Sequence, residues 1–325
     1  MNEPLLDVRG RIADPVAVVN LDAGVEQVLP PDRLLVGIAT RPLDAAGRAL
    51  ASALDVTFAA EPGPEFVEVD DAEGEVAALC AAVAANPQAT LVLRQVLRAA
   101  AADVAVGLDI ESFAYSTLLG GAEFGAWLSR RGPRALPPTA PTAPVLVDRD
   151  GARLLITLNR PERRNAYGRE VRDALVEALR LALVDESIER VILTGVGPSF
   201  SAGGDLDEFG TTPDPVTAHY VRTRGGAGLL MHRLRERLEV RVHGSCVGAG
   251  IELPAFAGRV LARPGTTFRL PEVGMGLIPG AGGTVGIPRR IGRWRALYLA
   301  VSGRTLDTAT ALSWHLVDGV EHGAP

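Results

Sequence analysis

Apolar residues recur with two different periods along this chain, and the alternation between them predicts its elements. Leu154-Leu155-Ile156-Thr157-Leu158 is a short apolar run closed by Asn159-Arg160-Pro161, the pattern of a buried strand ending in a turn. Val171, Ala174, Leu175, Ala178, Leu179 and Ala182 follow at helical spacing, and Val191-Ile192-Leu193-Thr194-Gly195 reads as a second strand. Strand, helix, strand predicts a parallel crossover unit. A third strand candidate at 240–242 leads into Gly244-Ser245-Cys246-Val247-Gly248-Ala249-Gly250, with a helix expected from Ile251. The class is α/β, with small residues in the turns at strand ends.

Earlier in the chain, 16–21, 34–39, 56–59 and 66–69 read as strands and 43–54 as a helix. From 75 to 131 the pattern is helical, with apolar helices at 75–101 and 110–128 and interruptions at Asn86-Pro87 and Gly120-Gly121. Residues 132–144 hold five prolines in thirteen positions and form an extended linker rather than a packed helix. The expected organisation is therefore a small α/β segment at 1–74, a helical region at 75–131, a linker at 132–144 and a core at 145–325.

Composition removes several function classes. The chain has 325 residues, 47% of them hydrophobic, enough for a sizeable core. Its net charge of −6 argues against a nucleic-acid-binding role. All 33 basic residues are arginine, so chemistry through a Schiff-base or P-loop lysine is excluded. His219, His232, His243, His315 and His322 are scattered without metal-ligand spacing, so no metal is expected. The longest apolar run, 76–85, is half the length needed to span a bilayer, and the N-terminus lacks a signal pattern. With only Cys80 and Cys246, the expected compartment is the reducing cytoplasm.

Two glycine-rich turns, Phe200-Ser201-Ala202-Gly203-Gly204-Asp205-Leu206 and Val247-Gly248-Ala249-Gly250-Ile251-Glu252, suit exposed N–H groups that bind an anion, or ordinary tight turns. Gly248-Ala249-Gly250-Ile251-Glu252-Leu253 and Gly274-Met275-Gly276-Leu277-Ile278-Pro279 each lack the third glycine of a dinucleotide fingerprint. Gly244-Ser245-Cys246-Val247-Gly248 has the outline of a nucleophile elbow with Cys246 as nucleophile, but a five-residue match with two glycines fits a small buried residue near a turn better. Glu252 and Glu272 stand in largely apolar sequence, where a carboxylate is costly unless hydrogen-bonded or used. They are either an acid–base pair able to hold a water between them, or capping and solvated glutamates.

These segments resemble the crotonase (enoyl-CoA hydratase/isomerase) superfamily over about 145–320. The matching stretches are Leu158-Asn159-Arg160-Pro161-Glu162-Arg163-Arg164-Asn165-Ala166, the turn at 200–206, His243-Gly244-Ser245-Cys246-Val247-Gly248-Ala249-Gly250-Ile251-Glu252-Leu253, Phe268-Arg269-Leu270-Pro271-Glu272-Val273-Gly274-Met275-Gly276-Leu277-Ile278-Pro279-Gly280-Ala281-Gly282-Gly283-Thr284, and Trp314-His315-Leu316-Val317-Asp318. The family usually has glycine where His315 stands. The resemblance implies a ββα spiral core and a reaction on an acyl-CoA thioester through an enolate, most directly hydration of a 2-enoyl-CoA. Isomerisation, cofactor-free oxygenation or a non-catalytic CoA-binding role are the alternatives. It further implies an oxyanion hole from the N–H groups of Gly204 and Ala249. Glu252 would activate water for attack at C3, and Glu272 would protonate C2. Coenzyme A, as part of the substrate, would meet Arg163, Arg164, Ala202 and Asp205, and residues 211–238 would line the acyl pocket. No other cofactor, no nucleic acid and no membrane are implied, and the expected assembly is a homotrimer or hexamer.

Chain order departs from that family. Its members continue past the Leu-Val-Asp segment into helices, whereas Ala85-Asn86-Pro87, Leu93-Arg94-Gln95, Gly107-Leu108, Glu111-Ser112-Phe113-Ala114, Glu123-Phe124 and Trp127-Leu128 resemble those helices ahead of the core. The expectation is a permuted order in which 75–131 packs against the core and covers its own active site or that of a neighbouring copy.

Overall fold

The computed structural model describes residues 5–24, 29–99 and 102–321. His322, and the parts of the expected segments that reach 1–4, 25–28, 100–101 and 322–325, lie outside them. Strands β1 (Val16–Asn20), β2 (Leu34–Ala39), β3 (Val56–Ala59) and β4 (Phe66–Glu68) pair side by side and all parallel, with α1 (Ala45–Ala53) between β2 and β3. Parallel strands covered on both faces read as unbroken apolar runs, as Leu34-Leu35-Val36 does. Leu35 and Ala39 pack with Ala51 of α1, whereas Leu34, Val36, Val56 and Phe58 face the main core.

Four helices follow: α2 (Ala72–Ala85), α3 (Pro87–Ala99), α4 (Val104–Leu119) and α5 (Ala122–Arg131). The Asp71 carboxylate caps α2 by accepting from Gly74 N–H at 2.9 Å, so the helix starts at Ala72 and crosses the boundary expected after 74. Asn86-Pro87 bends the chain by 107° between α2 and α3, because proline lacks the N–H that would continue the ladder. Asp103 caps α4, accepting from Val106 N–H at 3.0 Å, and starts it before the helix expected at 110. Among the described residues no single helix is long and apolar enough to cross a membrane.

The proline-rich stretch carries no regular element, but it is not a free spacer. Ala140 N–H donates to Glu170 at 3.0 Å, and the side chain of Asn159 donates to Ala143 O at 2.9 Å. It is a strap laid on the core.

Beyond it come β5 (Val145–Asp150), β6 (Arg153–Leu158), α6 (Arg169–Val184), β7 (Arg190–Gly195), α7 (Pro215–Gly225), α8 (Gly228–Arg233) and β8 (Leu238–Val242). The chain continues through β9 (Ser245–Val247), α9 (Ala249–Glu252), β10 (Arg259–Ala262), β11 (Thr267–Arg269), α10 (Gly283–Ser302), α11 (Thr308–Ser313) and β12 (Gly319–Val320). A six-stranded sheet runs β12-β10-β8-β7-β6-β5, parallel except for the β5–β6 hairpin, and β9 and β11 form a second small parallel sheet. The helix expected from Ile251 is the single turn α9, because Pro254 stands at the first position of the next, tighter turn. His315 adopts φ 63, the left-handed region that glycine enters without strain, which accounts for glycine being usual there.

Sheet residues Leu154, Ile156, Val191 and Val240, helix residues Leu175 and Leu179, and Leu79, Val83 and Leu93 from α2 and α3 belong to one contiguous core with Leu297 and Leu299 of α10. The N-terminal helices are thus built into the core rather than appended to it.

Candidate active site

The two glycine-rich turns close on each other. Val247 N–H donates to Ser201 O at 3.1 Å, and Ser201 bridges Cys246. A Cβ on Gly203 (φ 89) would stand 2.6 Å from Val247 O, and one on Gly250 would run into Ser201 O, so neither position tolerates a side chain. Asn165 holds the first turn from beneath. Its Oδ1 accepts from Arg160 N–H at 2.8 Å, and its Nδ2 donates to Val196 O and Ser199 O at 2.9 and 3.0 Å. Asparagine supplies both kinds of group and tolerates the φ of 53 found there.

This stitching puts Gly204 and Ala249 on the wall of one cavity of about 430 Å³. Neither N–H donates to an acceptor among the described residues, and Ala249, as the first residue of α9, has no partner within its helix. Free N–H groups on a cavity wall are what a developing oxyanion requires.

Glu252 and Glu272 line the same cavity, 2% and 8% exposed. Glu252 Oε2 accepts from Ala281 N–H at 2.7 Å and Gly283 N–H at 3.0 Å, at the start of α10. Glu272 Oε2 is buried and has no hydrogen-bond partner among the described residues. Gly248 (φ 49) lies between the pair: a Cβ there would collide with Glu272 Oε1 and stand 3.7 Å from Glu252 Oε1. The two carboxylates therefore converge closely enough for one small molecule to touch both.

A third carboxylate, Glu111 of α4, was given no role by the sequence. It is 2% exposed and accepts from Gly282 N–H at 2.8 Å, Thr284 N–H at 2.9 Å and Thr284 Oγ1 at 2.7 Å. Glu111 and Glu252 thus grip alternate N–H groups of one loop, 281–284. Burial pushes the Glu272 carboxyl up to about 8 and Glu111 up to about 7, the latter opposed by its bonds to Thr284 and Gly282. Burial, then the charges of Glu272 and Glu111, raise Glu252 well above the usual carboxylate range, against the pull of the Ala281 and Gly283 N–H groups. Three buried carboxylates sharing one cavity disfavour one another's ionisation at neutral pH. The backbone donors make Glu252 the better holder of charge, and the unpartnered Glu272 oxygen the better place for a proton.

The rest of the cavity is walled by Leu108, Tyr115 and Leu119 of α4, Phe124 of α5, and residues of the expected 211–238 segment such as Thr217, Val221 and Arg222. Gly280 has no side chain because the Tyr115 ring fills that space, and Gly276 (φ 75) lets the backbone of Phe124 approach. Helices that precede the core in sequence therefore complete the cavity. Glu111 and Tyr115 of α4 and Arg222 of α7 were given no individual role because the packing partners of these helices cannot be read from spacing; Glu111 and Arg222 entered only within the segments 111–114 and 211–238.

Among the four positions expected to meet coenzyme A, Ala202 and Asp205 lie on the first turn, and Asp205 lines the cavity. The Arg163 guanidinium donates to both oxygens of Asp205, at 2.9 and 2.7 Å, and to Asp207 at 2.8 Å. Arg164 is exposed and makes no ion pair among the described residues. Cys246 is fully buried, does not line the cavity, and has its thiol pushed up by burial, which removes it as a nucleophile. Among the described residues no group of acidic, histidine or cysteine side chains could hold a metal ion.

Residues 149–322 match the family model for enoyl-CoA hydratase/isomerase. The chain is 35% identical to the 2,3-dehydroadipyl-CoA hydratase of Escherichia coli over 176 residues, 54% of this chain and 68% of that protein. It is 34% identical to a probable enoyl-CoA hydratase of Mycobacterium tuberculosis over 178 residues, with the same coverage. Among solved structures, an enoyl-CoA hydratase from Thermoplasma volcanium superposes with a TM-score of 0.51 at 32% identity, covering 56% of this chain and 73% of that one. One from Mycobacterium smegmatis gives 0.51 at 30% identity, covering 55% and 69%.

Proposed function

Because the chain belongs to the enoyl-CoA hydratase/isomerase family, we propose that it adds water across the 2,3 double bond of a 2-enoyl-CoA thioester. The observation that carries this reading is the pair of buried carboxylates converging on Gly248 beside two free N–H groups. The thioester oxygen takes the N–H groups of Gly204 and Ala249, which stabilise its charge as the enolate forms; such donors are typically worth about 3 kcal/mol each. Glu252, ionised against the Ala281 and Gly283 N–H groups, takes a proton from the water whose oxygen bonds to C3. Glu272 gives its proton to C2. One water is consumed, and the proton gained by Glu252 and lost by Glu272 is exchanged between them to reset the site. The reaction is redox-neutral, and coenzyme A enters only as part of the substrate.

Of the two arginines expected to meet the CoA phosphates, Arg164 is the one we retain, with Ala202 and Asp205 at the rim of the site. Incubating the full chain with a panel of 2-enoyl-CoAs tests the reading: products heavier by one water are expected. Migration of the double bond without gain of mass would replace hydration by isomerisation.

We read 75–131 as the family's C-terminal helical region placed ahead of the core, in keeping with the way α4 and α5 wall the cavity. A trimer or hexamer is the assembly we expect. Phe113, stacked on His219 at 4.2 Å, and the neighbouring Tyr220 leave an exposed aromatic patch for a second copy to cover. Light scattering at micromolar concentration should find three or six chains; a stable monomer would end this part of the reading. Cys80 and Cys246, both free thiols, suit the cytoplasm.

The raised carboxyls set the pH dependence. A carboxyl whose value in the folded protein exceeds its unfolded value stabilises the fold at low pH and loses that contribution as pH rises. For Glu111 the loss runs from about 4.5 to about 7, and for Glu272 from about 4.5 to about 8. The melting temperature is therefore expected to fall between pH 5 and 9, less steeply in Glu272→Gln, and kcat to decline above about pH 8 as Glu272 loses its proton. A melting temperature that rises over this window would show that the site holds its carboxylates ionised.

A further inference from the structure

Arg222 of α7 lines the cavity among Leu108, Tyr115, Leu119 and Leu229, an apolar setting in which a cation needs a reason. Its Nε donates to Ser112 Oγ at 3.1 Å, its Nη2 donates to Ser112 O at 3.2 Å and to Ser116 Oγ, and its guanidinium carbon lies 4.4 Å from the centre of the Tyr115 ring. All of these partners are neutral and all belong to α4. They occupy Nε and Nη2 and leave Nη1, with two N–H groups, without an acceptor among the described residues. Of the other arginines that line the cavity, Arg172 pairs with Asp173 at 2.7 Å and Arg169 is exposed, whereas Arg222 is half-buried. Glu111 is the carboxylate whose charge favours the Arg222 cation through space, but its oxygens are engaged by Gly282 and Thr284. Arg222 is thus a cation fixed in place and not neutralised by contact.

We propose that Arg222 binds an anionic group at the far end of the acyl chain, which makes the substrates 2-enoyl-CoA thioesters whose acyl group ends in a carboxylate. This rests on the hydratase reading of the site and adds the substrate class to it. The two N–H groups of Nη1 are free to donate to a carboxylate, and the serines and Tyr115 hold the guanidinium in place before substrate arrives. The three glutamates disfavour a second anion beside them, so an anion in this cavity is best placed against a cation. A phosphate of coenzyme A is the other source of the same chemistry, and it is common to every CoA ester.

The test compares pairs of trans-2-enoyl-CoAs of five to eight carbons, one member ending in methyl and the other in carboxylate, with the full chain. At one length or more, kcat/KM should favour the carboxylated member by about tenfold or more, and the ratio should collapse in Arg222→Met. Arg222→Gln keeps hydrogen bonding to the serines without the charge, and should lose the preference likewise. Calorimetry with the saturated, unreactive pairs reads the same preference as binding, so it survives even if no hydration occurs. Wild-type protein without preference at any length would overturn the assignment. So would variants that lower both members of a pair equally, the result expected of a CoA-phosphate contact or a purely structural arginine. Hydration of neither member, with the binding preference intact, would sink the hydratase reading and leave Arg222's role standing.

Discussion

Glu252→Gln and Glu272→Gln are each expected to lower kcat for hydration by about 10²-fold or more, the usual cost of losing a positioned acid or base. Glutamine is nearly the same size, so the loss is one of protons rather than packing. At position 252 its carbonyl oxygen can still accept from Ala281 and Gly283, which keeps the 281–284 loop in place. At position 272 it removes the proton destined for C2 while filling the same buried volume. CoA-ester binding should largely survive in both variants, because the N–H groups of Gly204 and Ala249 proposed to hold the thioester are backbone groups that neither change touches. Steady-state rates with a 2-enoyl-CoA decide the matter. Full activity in both variants would end the two-carboxylate mechanism.

The second large effect concerns chain order. Residues 145–325 expressed alone should give an insoluble or inactive product, and co-expression of 1–144 should restore soluble, active protein. Without α2 and α3, the buried residues of α10 that share a core with Leu79, Val83 and Leu93 would face water. Without α4, Gly282 and Thr284 would lose the Glu111 oxygens, loosening the loop that holds Glu252. The acyl side of the cavity would also lose Leu108, Tyr115 and Leu119 and stand open. A soluble, fully active 145–325 fragment would show that these helices are an independent module, and the permuted reading would fall.

Much of the core was legible because its elements announce themselves locally. β6, α6 and β7 appear with the expected periods, and the four strands of the N-terminal unit lie where their apolar runs placed them. Helix starts were less legible. Asp71 and Asp103 set them through single side-chain bonds that hydrophobic spacing does not register. Arg163 shows a further limit: an arginine in a turn is suited to a phosphate or to a carboxylate of its own chain, and its pairs with Asp205 and Asp207 appear only in the fold.

The sequence by itself determined the α/β class, the absence of lysine chemistry, and the two glycine-rich turns and two glutamates that form the site, since these depend on residue type and local spacing. Tertiary structure alone decided that the turns close on one another, that Glu252 and Glu272 converge on Gly248, and that Glu111 and Arg222 join them from α4 and α7. The reason is physical. The value of a buried charge is set by which donors and charges surround it, and those come from segments far apart in the chain: Glu111 meets Thr284, and Arg222 meets Ser112, only once the N-terminal helices have packed against the core.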